Sequence, residues 1–204
     1  MPGAAAAVAP GPSIAPEDML RAQCYRLLAR FLSLPPSSAE LQAAAALVGD
    51  DSEFGRAIAA FARACAGCDP ERVAREFHDL FIGLSRGLLV PYGSYYLSGF
   101  LHEKPLAKLR QDMARLGVAR AAGVADPEDH IASLLEMMAV FIEGSCGRCL
   151  SLVEQKDFFA AHIGNWAAVF FRDLEAAEGS LLYAALGTVG RSFLAIEEDA
   201  FAMV

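Results

Sequence analysis

Apolar positions recur every three or four residues along most of the chain, while strand-like alternation is scarce, so the sequence predicts helices almost throughout. The first opens at Pro16, with Glu17 and Asp18 in its first turn and an apolar face of Leu20, Cys24, Leu27, Leu28, Phe31 and Leu32; Pro35 and Pro36 stop it. Ser37 and Glu40 have the spacing of a capping box and start a second helix to about residue 48. A third spans about 52–64. Asp69-Pro70-Glu71 starts a fourth, with Phe77, Leu80 and Phe81 inward and Gly83 near its end. Residues 83–96, "GLSRGLLVPYGSYY", form the longest irregular stretch, because Gly83, Gly87, Pro91 and Gly93 interrupt any regular element. Further helices are predicted over 106–116, closed by Gly117, and from Asp126-Pro127 to about 143. A long, central one follows over 151–176, then shorter ones over 181–186 and 191–201. The fold class is all-α: one globular helical domain of about 8–10 helices over residues 16–204, preceded by a disordered tail over 1–15.

Composition sharpens this picture. The 204-residue chain is 55% hydrophobic, which predicts a large core, an oligomer interface or an apolar binding surface; monomer and homodimer are both open. The formal net charge of −8 disfavours nucleic acid and anionic membrane as partners and favours cationic ones. The longest near-apolar run, 158–171, is broken by His162, Gly164 and Asn165 and falls short of the roughly 20 residues a membrane span needs, so no stable membrane insertion is expected. The start, "MPGAAAAVAPGPSIAP", lacks a basic n-region and a long apolar h-region, and the simplest location is the cytoplasm.

Two stretches carry candidate chemistry. In "VADPEDHIASLL" three carboxylates and a histidine crowd before an apolar run, with no lysine or arginine among the twelve. Asp126 as a cap, Pro127 in the first position and Glu128 and Asp129 at the positive end of the dipole describe a helix start. The same concentration of negative charge suits a guanidinium, whose planar fork pairs with carboxylates. Metal binding fits less well, because Asp129 and His130 are sequence neighbours and diverge on a helix instead of sharing a face. No catalytic nucleophile is recognisable nearby, and the chain does not read as an enzyme. The second stretch, "VPYGSYYLSGF", sets Tyr92, Tyr95, Tyr96 and Phe100 among glycines and serines, as core cover or as a binding surface. The pairs Cys65/Cys68 and Cys146/Cys149 lie much farther apart than the roughly 15–20 residues of a zinc ribbon, so buried or helix-end thiols are expected rather than metal.

The two motifs together resemble the TorD/DmsD family of cytoplasmic chaperones for molybdenum enzymes, related to the NarJ group. Pro91, Tyr92, Ser94 and Tyr96 match its Pro-aromatic-x-Ser-x-Tyr loop, and Pro127, Asp129 and His130 match Glu-Pro-x-Asp-His; the resemblance covers roughly residues 17–200. Asp126 stands where the family usually has glutamate, one methylene shorter. The resemblance implies a binding protein without turnover. It would hold the twin-arginine signal peptide and folding intermediate of a molybdoenzyme catalytic subunit until its cofactor is inserted, preventing premature export. A twin-arginine peptide joins two guanidiniums to an apolar stretch. Asp126, Glu128 and Asp129 would take the charges; Tyr92, Tyr95, Tyr96 and the Phe77/Leu80/Phe81 face would supply the groove; His130 would bond the peptide backbone or orient Asp129. The resemblance also allows weak GTP binding, although no phosphate-cradling loop is present. The rival readings are a weak nucleotide-binding protein and a zinc- or thiol-containing helical regulatory protein.

Overall fold

The computed structural model describes residues 14–204 apart from 85, 86, 121, 122, 124, 125 and 146, and the tail expected over 1–15 lies almost wholly outside the described residues. Among these the chain is helical, and its β structure is a single bridge between Tyr92 and His130. The helices are α1 (Pro16–Ser33), α2 (Ser38–Ala45), α3 (Glu53–Ala66), α4 (Pro70–Phe77), α5 (Gly93–Ser98), α6 (Lys104–Leu116), α7 (Ile131–Glu143), α8 (Leu152–His162), α9 (Ala167–Glu175) and α10 (Leu181–Ala202). A π-helical turn, His78–Ile82, extends α4. No described helix is long and apolar enough to cross a membrane.

Local signals set most of the starts. Ser37 accepts from the Glu40 amide while Glu40 returns a bond to the Ser37 backbone, completing the capping box. Ser52 caps α3, Asp69 caps α4, and Gly117 ends α6 in the left-handed conformation. The inner face of α1 is shifted from the predicted one: Ala22, Tyr25, Leu28, Ala29, Phe31 and Leu32 are buried, while Leu20 is exposed.

The centre of the fold is α7, not the predicted 151–176 helix. Nine of its residues are buried, and it packs along α1 and α8. Arg26 of α1 pairs with Glu136 and Glu143 across that contact. The segment 151–176 is two helices. The turn between them brings the Gly164 amide to the Phe159 carbonyl, 2.8 Å, and directs the Trp166 indole N–H back to the His162 carbonyl, 2.7 Å. The freed carbonyl gives the buried indole the acceptor it needs.

The two short C-terminal helices are one. Gly187 and Gly190 do not interrupt α10; they let it approach α9. A Cβ on Gly187 would lie 2.5 Å from the Glu175 amide, and one on Gly190 would lie 2.2 Å from the Phe171 ring. At the other end of α10, buried Glu197 accepts two bonds from Arg21 and one from Tyr25, each 2.8 Å, and so ties α10 to α1.

Candidate functional site

Within 83–96 the described residues before Tyr92 form no helix or strand, as expected, and Gly93 opens α5. The π-turn after α4 closes with the Gly83 amide on the His78 carbonyl, 2.7 Å, and Gly83 leaves it at φ +62°. The chain then folds back: Leu88 and Leu89 donate to the carbonyls of Asp79 and Leu80. Gly87 makes this close passage, since a Cβ there would sit 2.4 Å from the Phe81 carbonyl carbon. Pro91 and Tyr92 lead into α5. The π-turn, this return segment, Tyr95 of α5 and the turn after it enclose an apolar groove of about 360 Å³. Phe81, Ile82, Leu89, Val90, Pro91, Tyr92, Tyr95, Phe100 and Leu101 line it. Phe100 is 70% exposed, and Ile82, Leu84 and Leu88 add further apolar surface in the same segment. An exposed apolar patch of this kind is a candidate binding surface.

The segment from Asp126 to His130 touches the groove through Tyr92 and serves two helices at once. It does not start α7 at Asp126, as the sequence predicts. Residues 126–129 form a turn, and His130 is the cap, its Nδ1 accepting from the Ala132 amide at 3.1 Å. Asp129 reaches across the chain to α5: its carbonyl accepts from Gly93 and its Oδ2 from the Ser94 amide, 2.9 and 2.7 Å. Because α5 lacks a side-chain cap of its own, Asp129 satisfies its orphan donors from 35 residues away. The Pro91 carbonyl accepts from Ile131, and the Tyr92 and His130 rings meet edge to face at 5.0 Å.

The predicted site residues therefore divide. Tyr92, Tyr95 and Phe81 line the groove. Phe77 is buried beneath it, against Phe81 and Tyr183. Tyr96 faces the core, packed on Trp166 at 5.3 Å with its hydroxyl donating to Asp173, and Ser94 is buried. Asp129 is 3% exposed. Glu128 accepts two bonds from Arg110, 2.8 and 3.0 Å. Burial pushes the Glu128 carboxyl up, but the Arg110 bonds, with the charges of Arg110 and Arg120, hold it below the usual range. Asp126 is exposed and accepts from the Tyr92 hydroxyl at 3.1 Å, which sets a carboxylate on the rim of the groove. Burial, with Asp126 beside it, keeps the Tyr92 phenol protonated. Burial also pushes His130 down to about 4, against the pull of Asp126 and Asp129, which agrees with an unprotonated Nδ1 acting as a cap.

Sequence reasoning placed Phe100 in the candidate binding loop but missed Ile82, Leu89, Val90, Pro91 and Leu101 as groove lining. Their only signal was apolar character without periodicity, in a stretch dense in glycine. Of the cysteines, Cys65 is buried and Cys68 half-buried at the end of α3, and burial pushes the Cys65 thiol up to about 12. Cys146 lies outside the described residues. Among those described, no group of three or more His, Cys, Asp or Glu is placed to hold a metal ion.

The chain is similar to known proteins in this region. The sequence model of a family described as nitrate reductase delta subunit matches residues 48–172, which takes in the groove and both motifs. A chaperone protein TorD of Vibrio cholerae serotype O1 is 30% identical over 129 residues, which is 60% of this chain and 59% of the relative. One from Psychrobacter sp. is 29% identical over 159 residues, 74% of this chain and 66% of the relative. The chain thus matches about three fifths of the length of its Vibrio cholerae relatives. The crystal structure of a putative redox enzyme maturation protein from Archaeoglobus fulgidus has the same fold, with a TM-score of 0.57 and 23% identity over 86% of this chain and 94% of that one. With well over half of its residues matched by the family model, the chain belongs to the nitrate reductase delta subunit family, the group that includes the TorD chaperones.

Proposed function

We propose that this protein is a cytoplasmic maturation chaperone for a molybdenum-cofactor oxidoreductase. In this reading it grips the twin-arginine signal peptide of the catalytic subunit and holds the folding intermediate until the cofactor is inserted. One observation carries the reading: an exposed carboxylate, Asp126, is bonded to Tyr92, a wall of an open apolar groove. An apolar segment next to a guanidinium complements that pairing of surfaces. The TorD names of the relatives support a chaperone role, and the net charge of −8 favours encounter with a basic segment. Nucleotide enters only as weak GTP binding without turnover.

The test is a fluorescently labelled peptide with two consecutive arginines followed by an apolar segment, titrated with the full chain. Saturable binding that weakens in both Asp126→Ala and Phe100→Ser, with helical content unchanged, supports the reading. A parent peptide that fails to bind, or binding indifferent to both substitutions, sinks it. Co-purification of a molybdoenzyme catalytic subunit from native extract would identify the client.

A further inference from the structure

Three carboxylates stand between residues 126 and 129, yet their surroundings differ. Asp129 is buried, with Oδ2 committed to the Ser94 amide and Oδ1 unpartnered but shut away from solvent at 3% exposure. Glu128 is held by the Arg110 guanidinium, and Arg120 lies close enough to add its charge. Asp126 alone among the three is exposed. It receives one hydroxyl bond on Oδ1, and its Oδ2 has no partner among the described residues. A second cation moving past Asp126 towards Glu128 meets the Arg110 guanidinium rather than a free carboxylate. The distance to the groove is equally restrictive. The Tyr92 hydroxyl is 3.1 Å from Asp126, and the Tyr92 ring lines the groove, so a cation on Asp126 must directly adjoin whatever apolar residues fill the groove.

Resting on the reading above, we infer that the site takes one guanidinium and not two: Asp126 selects the arginine that adjoins the apolar run, and the outer arginine stays in solvent. Acid count in the sequence overstates the charge available to the ligand, because two of the three carboxylates are spent on the fold.

The experiment compares four labelled peptides against the full chain: the parent with two arginines, each single arginine-to-glutamine version, and the double version. Replacing the arginine next to the apolar run should weaken binding about fivefold, the ordinary range for one partly solvated charge-assisted pair. Replacing the outer one should cost less than about twofold, a screened long-range effect. In Asp126→Asn the penalty for the inner replacement should shrink to less than about twofold, which ties it to that carboxylate. Equal losses at both positions, or an inner-arginine penalty that survives in Asp126→Asn, would overturn the single-cation site while leaving peptide binding intact. A parent peptide that does not bind overturns the functional reading and this inference with it.

Discussion

The backbone amide of Ser94 lies 2.7 Å from Oδ2 of Asp129, so a carboxylate 35 residues downstream caps the six-residue helix α5. A helix this short does not hold itself together in water. Its N-terminal donors are satisfied only because Asp129 is delivered to them, and the groove wall depends on that delivery. Asp129→Ala should therefore act first on stability. Removing the acceptor leaves the buried Ser94 amide unpaired and should cost about 1–3 kcal/mol in urea unfolding. Asp129→Asn, which keeps an oxygen for that amide, should cost less. Equal stability of wild type and Asp129→Ala would show that the cap does not support the fold.

His130 gives the protein a defined response to acid. Its folded-state value is depressed to about 4 from the ordinary 6.5 by burial. Between those values the unfolded chain binds the proton and the folded chain does not, so stability is lost as pH falls from about 6.5 towards 4. The slope from this one group should approach ~1.4 kcal/mol per pH unit. His130→Asn keeps a capping oxygen without the titration, and its urea midpoint should change less over that window than the wild-type midpoint. Parallel curves would exclude His130 as the source.

Trp166 is the single tryptophan of the chain and reports on the back of α5. A Cβ on Gly93 would come within 3.1 Å of the indole nitrogen, which is already bonded to the His162 carbonyl. Gly93→Ala should force the ring to shift, cost about 1–3 kcal/mol, and alter the tryptophan emission of the folded protein. An unchanged spectrum and midpoint would mean that the contact is looser than the distance implies.

Phe77 and Phe100 separate core from groove. Phe77 is buried against Tyr183, and Phe77→Ala should destabilise the fold by about 3–5 kcal/mol. Phe100 is exposed on the groove, and Phe100→Ser should stay within about 0.5 kcal/mol of wild type in stability while weakening peptide binding. Comparable thermal losses in both variants would move Phe100 from surface to core.

The Arg21–Glu197–Tyr25 cluster offers a test away from the site. Glu197 is 1% exposed, so Arg21→Leu strands a buried carboxylate and should cost about 3 kcal/mol in urea unfolding. The double variant Arg21→Leu/Glu197→Leu should recover part of that loss, because it removes the uncompensated charge but leaves the buried Tyr25 hydroxyl without its acceptor. A double variant no more stable than the single one would show that α10 needs the ion pair itself.

What the sequence by itself determined is local. Pro16, the Ser37/Glu40 box, Ser52, Asp69 and Gly117 act within one helical turn, where caps bond their own neighbours, and each marks its boundary in the structure. The all-α class follows from apolar spacing for the same reason. What only the tertiary structure decided are the features whose partners lie far along the chain. Gly187 and Gly190 fall in the predicted gap between 181–186 and 191–201 but serve the approach of α9, since a glycine's role depends on what lies opposite it. Asp126 reads as a cap, yet the donors that the segment serves belong to α5 as well as α7, 35 residues apart in one case and two in the other. The acidic motif and the tyrosine loop were legible as a pair. Which of their side chains are exposed and which are buried is decided by packing and hydrogen bonding between distant segments, which residue order alone does not encode.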